Sequence, residues 1–559
     1  MNFKKTAVGK WMLIFAAALA AMLLTASCGK EHSHTIEFVS PKAATCSEEG
    51  NIGYWICSEC GGYFSDANGK KPIEDKDSVI IPIAQHTYGD RLSYDENSHF
   101  YLCITCGNRK DEAAHTFDDL FICTGCGYTH YFEGFTFARA DGGVIITGTN
   151  LQGSIVIPAF YRDVPILGIA ESAFKNNKDI TEVTVSEGIT EIGASAFEGC
   201  INLRNVVIAE SVSVIGEKAF SYSGLDSLIL PGGIVELGNE AFSGCTSLKI
   251  LVICEGIESI GEAVFRDCAA LEQIVFPESL KKIGVSAFRG CSSLREIVLP
   301  KLLEEIGDYA FAASGLETLV LDGTGLKIGV SAFRDCLWLE HVTLGNGVAS
   351  VGESTFSGCM GLGSVTIKSG VSEIGNSAFR GCSALKSLVI PESVVKIGFG
   401  AFSGCSSLAE ITLPFIGSEV NSTENDAHFG YIFGAGTYND NESNIPKTLK
   451  KVTVTSGEAI NASAFRECRY LTEVVVSAAV DVIGGNAFSG CTSLVKVTVP
   501  GSVTAIGYGA FANCSALAEI AFGGSAAEWE AVAKGLTWNE NAGNFKVSCT
   551  DSVIEKETV

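Results

Sequence analysis

The stretch "AFSGCTSL" occupies residues 241–248 and returns unchanged at 487–494, while "AFSGCSSL" at 401–408 differs by one residue. Aligning the chain on the phenylalanine of this octapeptide gives Phe174, Phe197, Phe220, Phe242, Phe265, Phe288, Phe311, Phe333, Phe356, Phe379 and Phe402. After a gap come Phe465, Phe488 and Phe511. Nearly every step is 23 residues; two are 22, after Phe220 and after Phe311, where "FSYSGL" and "FAASGL" lack one residue. About 14 units at a fixed period of this length predict a solenoid, because a unit this small buries its apolar side chains only against its neighbours.

Each unit reads in three parts. "LREIVLP" (294–300) ends in alternation and predicts a short strand with one face inward. "EEIG" (304–307) predicts a second extended piece closed by glycine. "DYAF" or "VSAFRGC" predicts a short helical or 3₁₀ turn that drops the phenylalanine into the core. The glycines of "IG" and "GC" suit corners where a side chain would clash or φ is positive. The fold class that follows is a leucine-rich repeat solenoid with parallel sheet and short helical or 3₁₀ turns, its coils spaced about 4.8 Å apart.

A cysteine falls three residues after the phenylalanine in eleven units, from Cys200 to Cys514. Cβ atoms in register at nearly 5 Å are further apart than the roughly 3.8 Å a disulfide prefers. No histidine or carboxylate recurs beside them, so they read as small buried core thiols rather than disulfides or metal ligands.

The ends differ from the repeats. Residues 1–27 combine Lys4, Lys5 and Lys10 with the apolar run "WMLIFAAALAAMLL" (11–24), shorter than the roughly 20 residues a membrane span needs. This reads as a secretory signal. "LTASC" (24–28) resembles a bacterial lipobox, although Thr25 departs from the usual leucine, and it marks Cys28 as the lipidated residue. Residues 28–90 are rich in Cys and His, and 91–132 carry Cys103, Cys106, Cys123 and Cys126 with zinc-ribbon spacing. Four such thiolates suit tetrahedral Zn, with His99 and His115 as substitute ligands. Cys57 and Cys60 form a less complete pair, for which Cys46 and His34 or His86 would complete a set. Structural zinc, disulfide staples and a thiol-redox role all remain open for this module.

The formal charge of −25 makes nucleic acid a poor partner. The repeats hold only His341 and His428 and show no HExxH, Walker or GxSxG motif, so no enzyme is expected. Between Phe402 and Phe465 an insertion, about 414–446, includes the polar "GSEVNSTENDAHFG" and predicts a loop projecting from the stack. Residues 524–559 predict a cap in which Trp529 and Trp538 cover the last coil.

Together the repeat over 133–523, "TGTNLQGSIVIP" (147–158), "FGYIFGA" and the terminal "GGSAAEWEAVAKGLTWNENAGNFKVSCTD" resemble the BspA-like (Treponema-type) leucine-rich repeat surface proteins of bacteria. The resemblance implies a lipid-anchored, extracytoplasmic, membrane-attached protein that binds host or microbial protein or glycan, with matrix proteins among the targets. Envelope assembly without an external ligand, and metal or redox sensing through the N-terminal module, are rival readings. Function would then lie on the surface. The outward position of the first strand is β-branched in coil after coil, and Ile229, Val252, Val275, Val298 and Val320 are its most apolar run and the expected contact patch. Strand propensity alone is the competing account of that column.

Overall fold

The computed structural model describes residues 36–42, 44, 49–59, 61–66, 70–81, 93–94, 98–102, 109–114, 134–161, 163–420, 422, 426–476 and 480–555. The chain divides into two compact units, with the main boundary between Tyr88 and Gly89. In the first, Tyr54–Cys57 pairs antiparallel with Ile36–Val39 on one side and Tyr63–Phe64 on the other. Aromatic side chains hold this small sheet: Phe38 lies 4.8 Å from Trp55 and Tyr54 stacks on Tyr63 at 4.5 Å. In the second unit, Ser98–Leu102, which carries His99, pairs antiparallel with Arg109–Ala114.

The solenoid begins with a hairpin, Phe135–Ala140 against Gly143–Thr149, whose second strand passes into parallel pairing with Val164–Ile169. From there successive coils lay parallel strands along two faces, each face broken into several shorter sheets. In the first sheet Ser227–Leu230 pairs with Ile250–Ile253 and that with Gln273–Val275. In the second, Glu191–Ile192 pairs with Val214–Ile215 and that with Glu236–Leu237. Residues one period apart stand side by side, so the repeat in sequence becomes a ladder in space.

The third side of each coil is a run of turns. Ala219, Ser221 and Ser223 donate to the carbonyls of Gly216, Lys218 and Phe220, as a 3₁₀ helix would. Two left-handed residues per coil, here Lys218 and Tyr222 at φ +56°, stop those bonds propagating as regular helix. Such backbone costs energy outside glycine. It is held because it aims alternate amides at the next coil: Lys218, Phe220 and Tyr222 donate to Asn239, Ala241 and Ser243 at 2.7–3.0 Å. The two glycine positions therefore have different causes. Gly290, of "GC", has φ +78°, whereas Gly216, of "IG", leaves no room: a Cβ there would stand 2.5 Å from the backbone nitrogen of Ala194.

Phenylalanines fill the core. Consecutive rings from Phe174 to Phe402 lie 4.8–5.7 Å apart, with planes within 24° of parallel. That is offset stacking imposed by the coil spacing. Both ends of the column turn edge-on: Phe135 meets Phe174 at 75°, and Trp538 meets Phe511 at 86°. Trp538 also packs on Trp529, whose short helix Ala526–Ala531 is closed by a Ser525/Glu528 capping box. The C-terminal segment thus packs on the last phenylalanine of the column through Trp538.

The insertion does not project as a loop over its described residues. Glu410–Leu413 pairs directly with Lys451–Val454, so the extra residues enlarge a single coil. Phe429 and Phe433 are buried and bridge the column, Phe433 to Phe402 at 6.4 Å and Phe429 to Phe465 at 5.1 Å. His428 and Asn441 are buried beside them: His428 Nδ1 donates to Asn441 Oδ1 at 2.9 Å, and Asn441 Nδ2 donates to the Arg466 carbonyl at 2.7 Å. "FGYIF" supplies the apolar plug that a coil of this fold needs, which outweighs the polar residues around it.

Candidate binding surface

The thiol ladder lies inside the molecule. All eleven cysteines are buried, and in ten of them Sγ lies 3.0–3.4 Å from the carbonyl of the phenylalanine one coil earlier, as in Cys245 to Phe220 and Cys359 to Phe333. Cys468, which follows the enlarged coil, faces the Arg466 carbonyl at 3.9 Å instead. Burial pushes the Cys200 and Cys405 thiols up to about 12. In the two short coils serine takes the cysteine's place, and Ser223 and Ser314 bond to Cys245 and Cys336 at 3.2 Å. These are packed core thiols.

The residues expected to form a contact patch lie on the outer face of the first sheet. Its β-branched column is in register, Ile229 beside Val252 beside Val275 and Val320 beside Thr343 beside Thr366. It is not one open ridge. Ile229 and Val298 are 50% exposed and Val320 61%, but Val252 and Val275 are only 4% and 7% exposed. Nor is it continuous: Glu296–Leu299, which carries Val298, forms no strand. The ladder stops at Val275, where the inward neighbour Phe276 stands edge-on to Phe288 at 5.7 Å, and resumes at Thr318–Leu321. The expected patch of five is therefore an exposed set of three, Ile229, Val298 and Val320.

Two positions before that column, the side chains from Ser227 to Ser387 include one carboxylate, Glu296, among Ser, Thr, Ile, Gln and His. His341 Nδ1 lies 3.0 Å from Ser364 Oγ. From Glu410 onward the same position alternates in charge, Glu410, Lys451, Glu473, Lys496, Glu519, Lys546, each beside the next in register. Lys451–Glu473 and Lys496–Glu519 are ion pairs at 3.3 and 3.1 Å. Ser548 and Lys496 hold the Glu519 carboxyl below its usual range.

Of the expected metal ligands, Cys57 is buried at the end of its strand, where its amide and carbonyl bond to Gly62 and Gly61 around a left-handed Gly61. Cys60, Cys103, Cys106, Cys123 and Cys126 lie outside the described residues, as does Cys28. Among the described residues no helix is long and apolar enough to cross a membrane.

The model of the BspA type leucine rich repeat region matches in overlapping copies over 167–295, 213–337, 258–386, 326–431 and 458–533. The chain belongs to this family. Solved structures similar to it include a leucine-rich repeat protein from Bacteroides ovatus, 24% identical over 67% of this chain and 95% of that one, with a TM-score of 0.37. A leucine rich cell surface protein from Faecalibacterium prausnitzii is 23% identical over 73% and 97%, with a TM-score of 0.33. The pneumococcal vaccine antigen PcpA is 16% identical over 84% and 100%, with a TM-score of 0.40. No curated protein matches. Within the BspA-type frame, sequence reasoning missed a corner at each short coil, where an arginine from the preceding coil crosses over. The two 22-residue steps were its signal.

Proposed function

We propose that this BspA-type solenoid is a cell-surface binding protein that engages a protein partner, for adhesion, through the outer face of its first sheet between Ser227 and Val389. Repeats of this kind serve as extended binding scaffolds. The observation that carries the reading is the contrast along that face: β-branched, with one carboxylate, Glu296, and with Ile229, Val298 and Val320 exposed, then closed by an alternating Glu/Lys ladder from Glu410 onward. Interface cores are depleted in charge, which favours the first stretch as the contact. The test immobilises the full chain and measures binding of purified extracellular matrix proteins by surface plasmon resonance, with and without Ile229→Glu, Val298→Glu and Val320→Glu together. Binding that survives the triple substitution in a folded protein moves the contact elsewhere.

Anchoring at Cys28 and zinc held by Cys103, Cys106, Cys123 and Cys126 belong to the same proposal, on the strength of "LTASC" and of the CxxC spacing. Cys28→Ser should abolish incorporation of a palmitate label, and metal analysis of the purified protein should return one zinc per chain. Retained label would remove the anchor from the proposal, and metal-free protein would remove the zinc.

A further inference from the structure

The two coils that lack a residue build the same corner twice, with different outcomes. In the first, Arg204 from the preceding coil reaches across to the Gly224 carbonyl at 3.3 Å, to Asp226 at 3.5 Å and to Ser247 Oγ at 3.5 Å. In the second, Arg295 reaches the Gly315 carbonyl at 3.3 Å and Glu317 at 3.9 Å, and its guanidinium lies over the indole of Trp338, 5.4 Å from the ring centroid. Trp338 stands where the first corner has Ser247, five residues after the core phenylalanine. It is 61% exposed, and beside it Leu337 and Met360 are each about half exposed, where the first corner has Thr246 and Ala269.

The arginine is a shared structural strut, since it bonds the short coil's carbonyl in both corners. The tryptophan is not required for that, because a serine serves at the first corner. A large indole held flat by a guanidinium, with leucine and methionine beside it, pays a solvation cost that coil closure does not explain. Trp, Met and Arg are also the residues enriched in protein interfaces, and Trp and Arg anchor their hot spots. Around the corner Arg295 pairs with Glu317 at 3.9 Å and Arg334 with Asp335 at 3.2 Å, and Glu296 and Glu340 give it an excess of two acids.

We infer that Trp338, Leu337 and Met360 form an exposed anchoring patch at the edge of the binding face, and that it packs against an apolar side chain of a protein partner flanked by lysine or arginine. The inference rests on the binding role proposed above and names its anchor. Charge complementarity chooses the partner: a basic flank gains from the acidic rim, and a neutral saccharide gains nothing from it.

The experiment selects a random peptide library displayed on phage against the full protein, against Trp338→Ser, and against the Ile229/Val298/Val320→Glu triple. Trp338→Ser reproduces the first corner and should leave the thermal melt unchanged. Peptides enriched on the wild type should carry an apolar residue between basic ones, and should bind Trp338→Ser at least tenfold more weakly. Val298→Leu, which keeps the face apolar, should retain them. Peptides lost only on the triple would keep the binding face and overturn this anchor. Peptides indifferent to both variants, or with acidic flanks, would overturn it too, the first by removing the face as well. A saccharide array signal that depends on Trp338, without any such peptide, would replace the protein partner and overturn the inference.

Discussion

The outer face of the first sheet changes character between Val389 and Glu410, although the cores behind the two stretches, on either side of the enlarged coil, are built alike. Up to Ser387 the row beside the β-branched column is almost uncharged; from Glu410 to Lys546 it alternates in sign on successive strands. Behind both, the same phenylalanine column runs with the same spacing, 5.3 Å between Phe265 and Phe288 and 5.0 Å between Phe488 and Phe511. Stability and surface chemistry are therefore separable. A solenoid repeats its inner residues because stacking requires it, and is free to vary the outer ones. The alternating stretch pairs charges across its own strands, whereas the other stretch carries one carboxylate, Glu296, beside exposed Ile229, Val298 and Val320.

The largest effect should show no difference between the regions. Phe288→Ala and Phe488→Ala each remove a fully buried ring stacked on two others and should each cost about 3–5 kcal/mol. Local opening is best read by amide hydrogen exchange, since long repeat arrays depart from two-state unfolding. If only one of the two substitutions destabilises its neighbours, the core is not the common element we describe.

Next in size is binding. The triple Ile229→Glu, Val298→Glu and Val320→Glu should reduce partner binding at least tenfold with the fold retained, because a buried contact would desolvate each carboxylate without a partner. Thr453→Glu with Thr498→Glu, in the alternating stretch, should leave binding unchanged. Surface plasmon resonance beside circular dichroism checks both. Equal losses from the two sets would erase the functional half of the comparison.

How much of this was legible beforehand follows from what repeats. Phe, Cys and "IG" recur in register, so period alone placed the column, the thiols and the close-approach glycines. What occurs once was not legible. Val252 and Val275 have the same residue type and register as their neighbours, and only coordinates show them buried. The insertion read as a loop from its Asn, Ser and Asp, but Phe429 and Phe433 plug a coil, and burial of two aromatic rings outweighs the turn residues. The corner at Trp338 was announced by a missing residue, which period counting recorded without a structural meaning.

The thiols give a smaller effect, again common to both regions. At Cys200 and Cys405 burial raises the folded pKa up to about 12. A group whose acidic form is favoured by folding contributes its full stability below the unfolded pKa, near 8.5 for cysteine, and loses it as pH rises toward the folded value. Stability should thus be flat with respect to these groups below pH 8.5 and fall from there toward pH 12. Cys291→Ala should flatten that fall slightly and cause no loss of a disulfide by mass. Thiols along the ladder that react with a disulfide reagent at pH 8 in the folded protein would contradict the assignment.

The smallest effect is also the sharpest test of the boundary. In the alternating stretch, Lys496 is paired with Glu519 at 3.1 Å and stands in register with Glu473 on its other side. Both partners of the ion pair are partly exposed, so Lys496→Gln should cost only about 0.2–1 kcal/mol. The loss should vanish at 1 M salt, where the screening length falls to about 3 Å. The converse can be built at the boundary itself. Ser387 is exposed and stands in register with Glu410, the first residue of the alternation, so Ser387→Lys would extend the pattern by one coil. It should stabilise by a similar amount and with the same salt dependence, read as opposite shifts in melting temperature at low salt that converge at high salt. If Lys496→Gln behaves as expected and Ser387→Lys does nothing, the alternation depends on local strand geometry beyond Glu410. If both respond equally, charge pattern alone separates the two regions, and the uncharged face could have been stabilised by one lysine. That it carries serine there would then need the explanation proposed here, an open contact surface that a fixed charge would spoil.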